Sequence, residues 1–219
     1  MIEVTIKNEV LMLLPEKAIW WKRNSALLVA DIHLGKSGHF RKAGIPVPTK
    51  LQEEDLSLLA DLVERYQPGR LYILGDFFHS ELNIDWYLFP VWRKKFPDLE
   101  IVLVKGNHDI LNDQVLLNAG VIIVKGYLDV FPFRLVHVPP ANTTIAGSHY
   151  YLSGHIHPGI RLKGRARQSL TMPCFYFSDK QGVLPAFGRF TGNSTIAVNE
   201  NDKIYPVFSG KVICLNATD

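Results

Sequence analysis

Five short stretches of this chain carry groups capable of metal chemistry: Asp31-Ile32-His33, Gly75-Asp76, Gly106-Asn107-His108-Asp109, the lone His137, and Gly154-His155-Ile156-His157. Carboxylate, imidazole and amide oxygen brought together suit two hard-to-borderline divalent cations such as Mn²⁺, Fe²⁺ or Zn²⁺. The absence of cysteine from every stretch argues against a structural zinc cluster. Singly, each piece has a plainer reading. Gly-Asn-His-Asp is also a turn with an Asx cap. A lone histidine is more often a satisfied structural residue than a ligand, the reading kept for His39 and His149.

The elements around these stretches give the reason they would meet. Ala26 to Ala30 is a continuous apolar run ending at Asp31, Arg70 to Leu74 delivers Gly75-Asp76, and Leu99 to Val104, interrupted only by Glu100, delivers the Gly106 stretch. Such runs read as buried strands whose carboxyl ends present ligand-binding groups, as in open α/β sheets. Between them, Leu51, Leu58, Leu59, Leu62 and Val63 recur at helical spacing, so a helix is expected over 49–66, stopped by Pro68-Gly69. Residues 83–96 also read as helical, with Pro90 a break, kink or restart, and a helix to about Asn118 follows the third strand. Residues 2–21 read as short antiparallel strands. After Gly120 short strands are expected at 121–124, 128–131, 134–138 and 150–152, and from Gly159 onward the pattern is almost wholly strand and turn. A core that is α/β first and β-rich later fits two sheets with helices outside. A chain of 219 residues is most economically one domain, 1–219.

The composition, 47% hydrophobic and 21% charged, is that of an ordinary soluble globular protein, and a net charge of +3 does not by itself indicate nucleic acid. Cys174 and Cys214 are too few for a disulfide framework and suit a reducing cytoplasm. The start lacks a signal peptide's basic region and cleavage site, and no run approaches the length of a membrane span. Local clusters of positive charge are more informative. The loop from Ile32 to Pro48 holds Lys36, His39, Arg41 and Lys42 and no acid, and its length suggests function. Arg161, Lys163, Arg165 and Arg167 alternate just after His155 and His157. At strand spacing they form either a comb that could follow a phosphate backbone or a solvated edge strand protected by charge. Phe40, Tyr176 and Phe177 could stack on bases, although aromatic residues in strands are more often core.

The five stretches, in this order, resemble the calcineurin-like metallophosphoesterases, whose pattern is DxH, then GDxx[D or similar], then GNH[DE], a lone H, and GHxH. The resemblance spans Asp31 to His157. The run Gly75-Asp76-Phe77-Phe78-His79-Ser80 and the short chain look most like the bacterial phosphoesterases associated with a DNA ligase and a DEXH-box helicase. The resemblance implies an α/β/β/α sandwich of two mixed sheets flanked by helices. Matched position by position, it implies one metal on Asp31, His33, Asp76 and His157 and a second on Asp76, Asn107, His137 and His155, with Asp76 shared. Two divalent ions, most simply Mn²⁺ with Fe²⁺ or Zn²⁺ as alternatives, would acidify a water and attract a phosphate. His108, left over from coordination beside Asn107, would protonate the leaving oxygen. Asp109 would orient that imidazole, or cap the following helix, or both. The family usually has Asp where this chain has His79. His79 is therefore expected to contact substrate or to hydrogen-bond a ligand.

Three functions follow. The first is a metal-dependent phosphodiesterase, a DNA nuclease acting in repair with a ligase and a helicase, whose tentative substrate contacts are His79, Arg41, Arg161, Lys163, Arg165 and Arg167. The second is a phosphodiesterase or phosphatase of small nucleotides or lipid precursors. The third, a non-catalytic scaffold of the same fold, is disfavoured because every ligand and His108 are present.

Overall fold

The computed structural model describes residues 1–36, 38, 44, 51–79, 84–141, 148–163 and 168–215, except for the side chains of 51, 52, 84, 85 and 163. Its first sheet has seven strands in chain order: β1 (Ile2–Ile6), β2 (Glu9–Leu13), β3 (Ile19–Trp21), β4 (Ala26–Val29), β5 (Arg70–Ile73), β6 (Glu100–Val104) and β7 (Val121–Val124). Neighbours from β1 to β4 are antiparallel and those from β4 to β7 are parallel. Parallel neighbours need crossovers. The described ones contain α1 (Leu51–Tyr66), α2 (Leu88–Lys95) and α3 (Asp113–Asn118).

Nine strands make the second sheet: β8 (Tyr127–Val130), β9 (Phe133–Val136), β10 (Tyr150–Ser153), β11 (Pro158–Lys163), β12 (Ser169–Phe177), β13 (Gln181–Val183), β14 (Ser194–Thr195), β15 (Lys203–Phe208) and β16 (Lys211–Val212). They run in the order β14-β11-β12-β13-β10-β9-β8, with β15 added to β12 and β16 to β15. The architecture is the two-sheet, β-rich sandwich expected.

The continuous apolar runs of β4, β5 and β6 arise because those strands are buried on both faces. Leu27, Val29, Leu71, Ile73, Ile101 and Leu103 turn towards the helices, where they meet Leu59 and Leu62 of α1, Phe89 and Trp92 of α2, and Leu116 of α3. Their alternates, Leu28, Tyr72, Leu74, Val102 and Val104, turn towards the second sheet and meet Phe133, Leu135, Leu152, Phe175 and Leu184. Pro90 marks a restart, one of the three expectations for it. A 3₁₀ turn, Ile84–Tyr87, leads straight into that helix, and Pro90 falls in its first turn, where a missing N–H costs no hydrogen bond. The helix after β6 begins later than the pattern implies, and its cap is Asn112, whose side chain accepts from the Gln114 N–H at 2.9 Å. Asp109 is not that cap.

One buried acid gives the fold a pH dependence. Asp55 of α1 is only 2% exposed, and burial raises its carboxyl from 3.8 to about 6 against the opposing pull of the Arg189 N–H, Lys17 and Arg189. Burial also wins at Lys17, which falls to about 8 despite facing Asp55. A carboxyl whose folded pKa lies above its unfolded value contributes its stability in full below the unfolded pKa. That contribution is lost as pH rises through the folded one. Between about pH 4 and pH 7 the wild type should therefore lose up to about 3 kcal/mol relative to Asp55→Asn, which cannot ionise. Urea unfolding of both proteins across that range measures the difference, and parallel stability curves would contradict it.

Candidate metal centre

Every one of the expected ligands lies just beyond the carboxyl end of a strand. Asp31 follows β4, Asp76 follows β5, Asn107 follows β6, His137 follows β9, and His155 and His157 follow β10. The register sets Val29 opposite Ile73 and Ile73 opposite Leu103, so the parallel strands end level and their loops share one rim. The tight turns there are strained. Asp31, His33, Asp76, His155 and His157 all adopt positive φ, between 46° and 72°, a left-handed conformation that disfavours residues with a Cβ. Each costs about 1–3 kcal/mol and persists only where the surroundings enforce it. Two glycines make the room. A Cβ on Gly75 would strike the ring of His137, and one on Gly106 would strike the carboxylate of Asp76.

The donor atoms form two groups, Asp31, His33 and His157 in one and Asp76, His137 and His155 in the other, and Asp76 also lies beside the first. In the first, His33 Nε2 lies 3.3 Å from His157 Nε2 and 3.9 Å from Asp76 Oδ2, and His157 Nε2 lies 3.7 Å from Asp31 Oδ1. In the second, His137 Nε2 is 2.9 Å from Asn107 Oδ1, 3.1 Å from His155 Nδ1 and 3.4 Å from Asp76 Oδ1. The carboxylate of Asp76 thus gives one oxygen to each side. His137 Nδ1 stands 3.0 Å from the Leu74 carbonyl, which can only accept, so that nitrogen carries the proton and Nε2 offers its lone pair to the group.

These groups fit divalent cations. Asn107 Oδ1 and Asp76 Oδ1 both lie within 3.4 Å of His137 Nε2, so three ligand atoms converge on one point. Asp31 Oδ1 is fully buried and has no hydrogen-bond partner among the described residues, whereas buried carboxylate oxygens are ordinarily satisfied. Burial, reinforced by Lys36 and three neighbouring imidazoles, pushes His33 down to about 2, and burial lowers His155 as well. Both are then neutral donors, the form a metal ligand needs.

A family model described as calcineurin-like phosphoesterase matches residues 25–170, which contain all of these ligands. The chain belongs to the calcineurin-like phosphoesterases. Among solved structures, a Pseudomonas putida nuclease, MPE, is 32% identical, with a TM-score of 0.81 over 98% of this chain and 99% of its own. The Escherichia coli phosphoesterase YfcE is 14% identical, with a TM-score of 0.46 over 86% of this chain and 96% of its own. No curated protein matches. This phosphoesterase is thus a metal-dependent hydrolase of phosphoric esters, and its two His/Asp clusters fit a binuclear centre.

Around the clusters of this phosphoesterase, the other expected site residues sort themselves. His108 is exposed at the rim, with its backbone N–H donating to Asp76 Oδ1 at 2.9 Å. His79 lies against it, ring centroids 5.1 Å apart and nearly parallel, and its Nδ1 is 3.4 Å from His33 Nδ1. His79 therefore stands within hydrogen-bond reach of His33, an expected ligand. Asp109 does something else. Its carboxylate is buried and accepts from the backbone N–H of Phe78 at 3.0 Å and of Gly106 at 2.8 Å. It pins the loop after β6 to the loop after β5, and both oxygens are occupied by backbone rather than by imidazole.

Arg161 is exposed on β11 and donates to Ser169 Oγ at 2.9 Å, and Lys163 occupies the alternate register position of the same strand. Arg41, Arg165 and Arg167 lie outside the described residues, as do His39, Phe40 and Lys42. Phe177 is buried between the sheets, so it offers no stacking surface. One contributor carried no motif at all. Backbone groups between Phe187 and Ile196 bond to the turns that hold Asp31 and His157.

Proposed function

We propose that this phosphoesterase is a manganese-dependent phosphodiesterase that cuts DNA, acting in cytoplasmic repair beside a ligase and a DEXH-box helicase. The observation that carries the hydrolytic part is the division of the Asp76 oxygens between two convergent donor groups, 3.9 Å from His33 Nε2 on one side and 3.4 Å from His137 Nε2 on the other. Manganese suits a set of carboxylates, imidazoles and one amide without thiolate. The DNA assignment is supported by the likeness to a nuclease over nearly the whole of both chains and by exposed Arg161 on the strand that follows His157. The partner assignment rests on the Gly75-Asp76-Phe77-Phe78-His79-Ser80 run.

Asp31, His33, Asp76 and His157 would hold one ion, and Asp76, Asn107, His137 and His155 the other. When bound, such a pair supplies Lewis acidity, neutralising charge on the phosphoryl oxygens and making a water more acidic. The chain's own groups do the rest. His108, exposed and held by its N–H on the Asp76 carboxylate, gives a proton to the leaving oxygen. Its ring is steadied by the face of His79. Asp109 keeps the Asn107-His108 segment in place by holding the Gly106 and Phe78 amides. Arg161 and Lys163 bind backbone phosphates beyond the scissile one.

Nicked, single-stranded and duplex DNA compared with mononucleotides and bis-p-nitrophenyl phosphate, all with Mn²⁺, test the substrate. Arg161→Gln with Lys163→Gln should weaken DNA binding uniformly across sequences. It should also flatten the salt dependence by about 0.9 in log–log slope per lost duplex contact. Hydrolysis of the small diester should hardly change. Unaltered affinity and slope would reduce these residues to a charged edge strand, and a wild type that cuts no DNA would move the assignment to small phosphodiesters.

A further inference from the structure

The first metal group draws its ligands from both sheets. Asp31 and His33 stand on the turn after β4, and His157 stands on the turn before β11. Strained turns on separate sheets need something that fixes one against the other. The segment from Phe187 to Ile196, which lies beyond the residues matched by the family model, spans them. At one end the N–H groups of Phe187 and Gly188 donate to the carbonyls of Ala30 and Asp31, at 2.8 and 3.2 Å. At the other the N–H groups of Ser194 and Ile196 donate to the carbonyls of His157 and Gly159, at 3.0 and 3.1 Å. Gly188 passes so close to the turn that a Cβ there would strike the Ile32 carbonyl.

This strap is itself held from behind. Both oxygens of buried Asp55 accept from the Arg189 N–H at 3.3 Å, the Arg189 guanidinium reaches Glu54 at 2.7 Å, and Lys17 Nζ donates to the Gly188 carbonyl at 3.4 Å. Asp55 touches no expected ligand. Its carboxylate ends at the strap, and the strap ends at Asp31 and His157.

We infer that Asp55 and the Phe187–Ile196 strap are positioning elements for the first metal, holding Asp31 against His157 so that the site is preformed. The inference rests on the two-site reading of the metal centre and deepens it. Outer groups that orient ligands typically change metal affinity by about 10–100-fold when lost. The strap's link to the second group runs through Asp31, whose Oδ2 accepts from the His155 N–H at 2.8 Å, so that site should feel its loss far less.

Two single-site proteins isolate the effect. His137→Ala leaves the first site and His157→Ala leaves the second, each titrated metal-free with Mn²⁺ by calorimetry and electron paramagnetic resonance. Adding Asp55→Ala to His137→Ala should weaken the remaining ion about 10–100-fold. Adding it to His157→Ala should weaken the remaining ion far less, and that retained binding also shows that the chain still folds. Asp55→Asn, which keeps an oxygen for the Arg189 N–H, should restore most of the loss, and Gly188→Ala should reproduce it with Asp55 intact. Equal weakening in the two backgrounds, or none in either, overturns the strap. If His137→Ala with native Asp55 binds no ion, the two-site reading falls and the strap with it.

Discussion

Asp76→Ala should retain no paired metal and should lose hydrolysis of every phosphoester by about 10³-fold or more, the largest single-residue effect expected in the chain. The reason is geometric. The other expected ligands stand in one group each, but the two oxygens of Asp76 face His33 on one side and His137 on the other, and Asp76 also anchors the His108 N–H. Its removal leaves the clustered imidazoles and Asn107 with one carboxylate, Asp31, and several kcal/mol of charge stabilisation in the transition state is forfeited. Metal analysis and turnover of the purified variant measure both consequences. Two ions per chain with native turnover would refute the shared role. Asp76→Asn should fare nearly as badly, because an amide offers one anion-free oxygen where two charged ones are needed.

His108→Ala should bind metal normally and lose rate according to the leaving group. Its imidazole contributes to no donor group and is exposed where a substrate would lie. For an alkoxide leaving group such as a deoxyribose hydroxyl, the loss should be about 10²–10⁴-fold, the usual worth of a positioned acid. A p-nitrophenolate leaves without help, so an activated diester should suffer far less. Equal losses on the two substrates would mean that His108 stabilises charge on the phosphate instead of donating a proton.

How much of this was legible in the sequence depends on which part of a residue does the work. The strands β4, β5 and β6 were legible because burial on both faces leaves unbroken apolar runs, and the ligands were legible because imidazoles and carboxylates stand at the ends of those runs. Gly75 and Gly106 were visible as motif letters. The reason for them, a ring and a carboxylate where a Cβ would sit, exists only after the strands have been set side by side. Asp109 shows the opposite case. Its type and position beside His108 suggested an imidazole partner, yet Phe78, 31 residues earlier, takes one of its oxygens through a backbone N–H. Contacts to the backbone leave no mark on the sequence of the partner. The same reason hid the strap, since Phe187, Gly188, Ser194 and Ile196 contribute N–H groups that any residue but proline could offer. α3 starts late because Asn112, three residues after Asp109, supplies its cap.

The central claim is that one carboxylate holds two cations together, and anomalous diffraction from crystals equilibrated with Mn²⁺ tests it most directly. Two peaks are expected roughly 3.5–4 Å apart, one among Asp31, His33 and His157, the other among Asn107, His137 and His155, with an oxygen of Asp76 coordinating each. A single peak, or a pair with Asp76 bound to only one of them, would contradict the account.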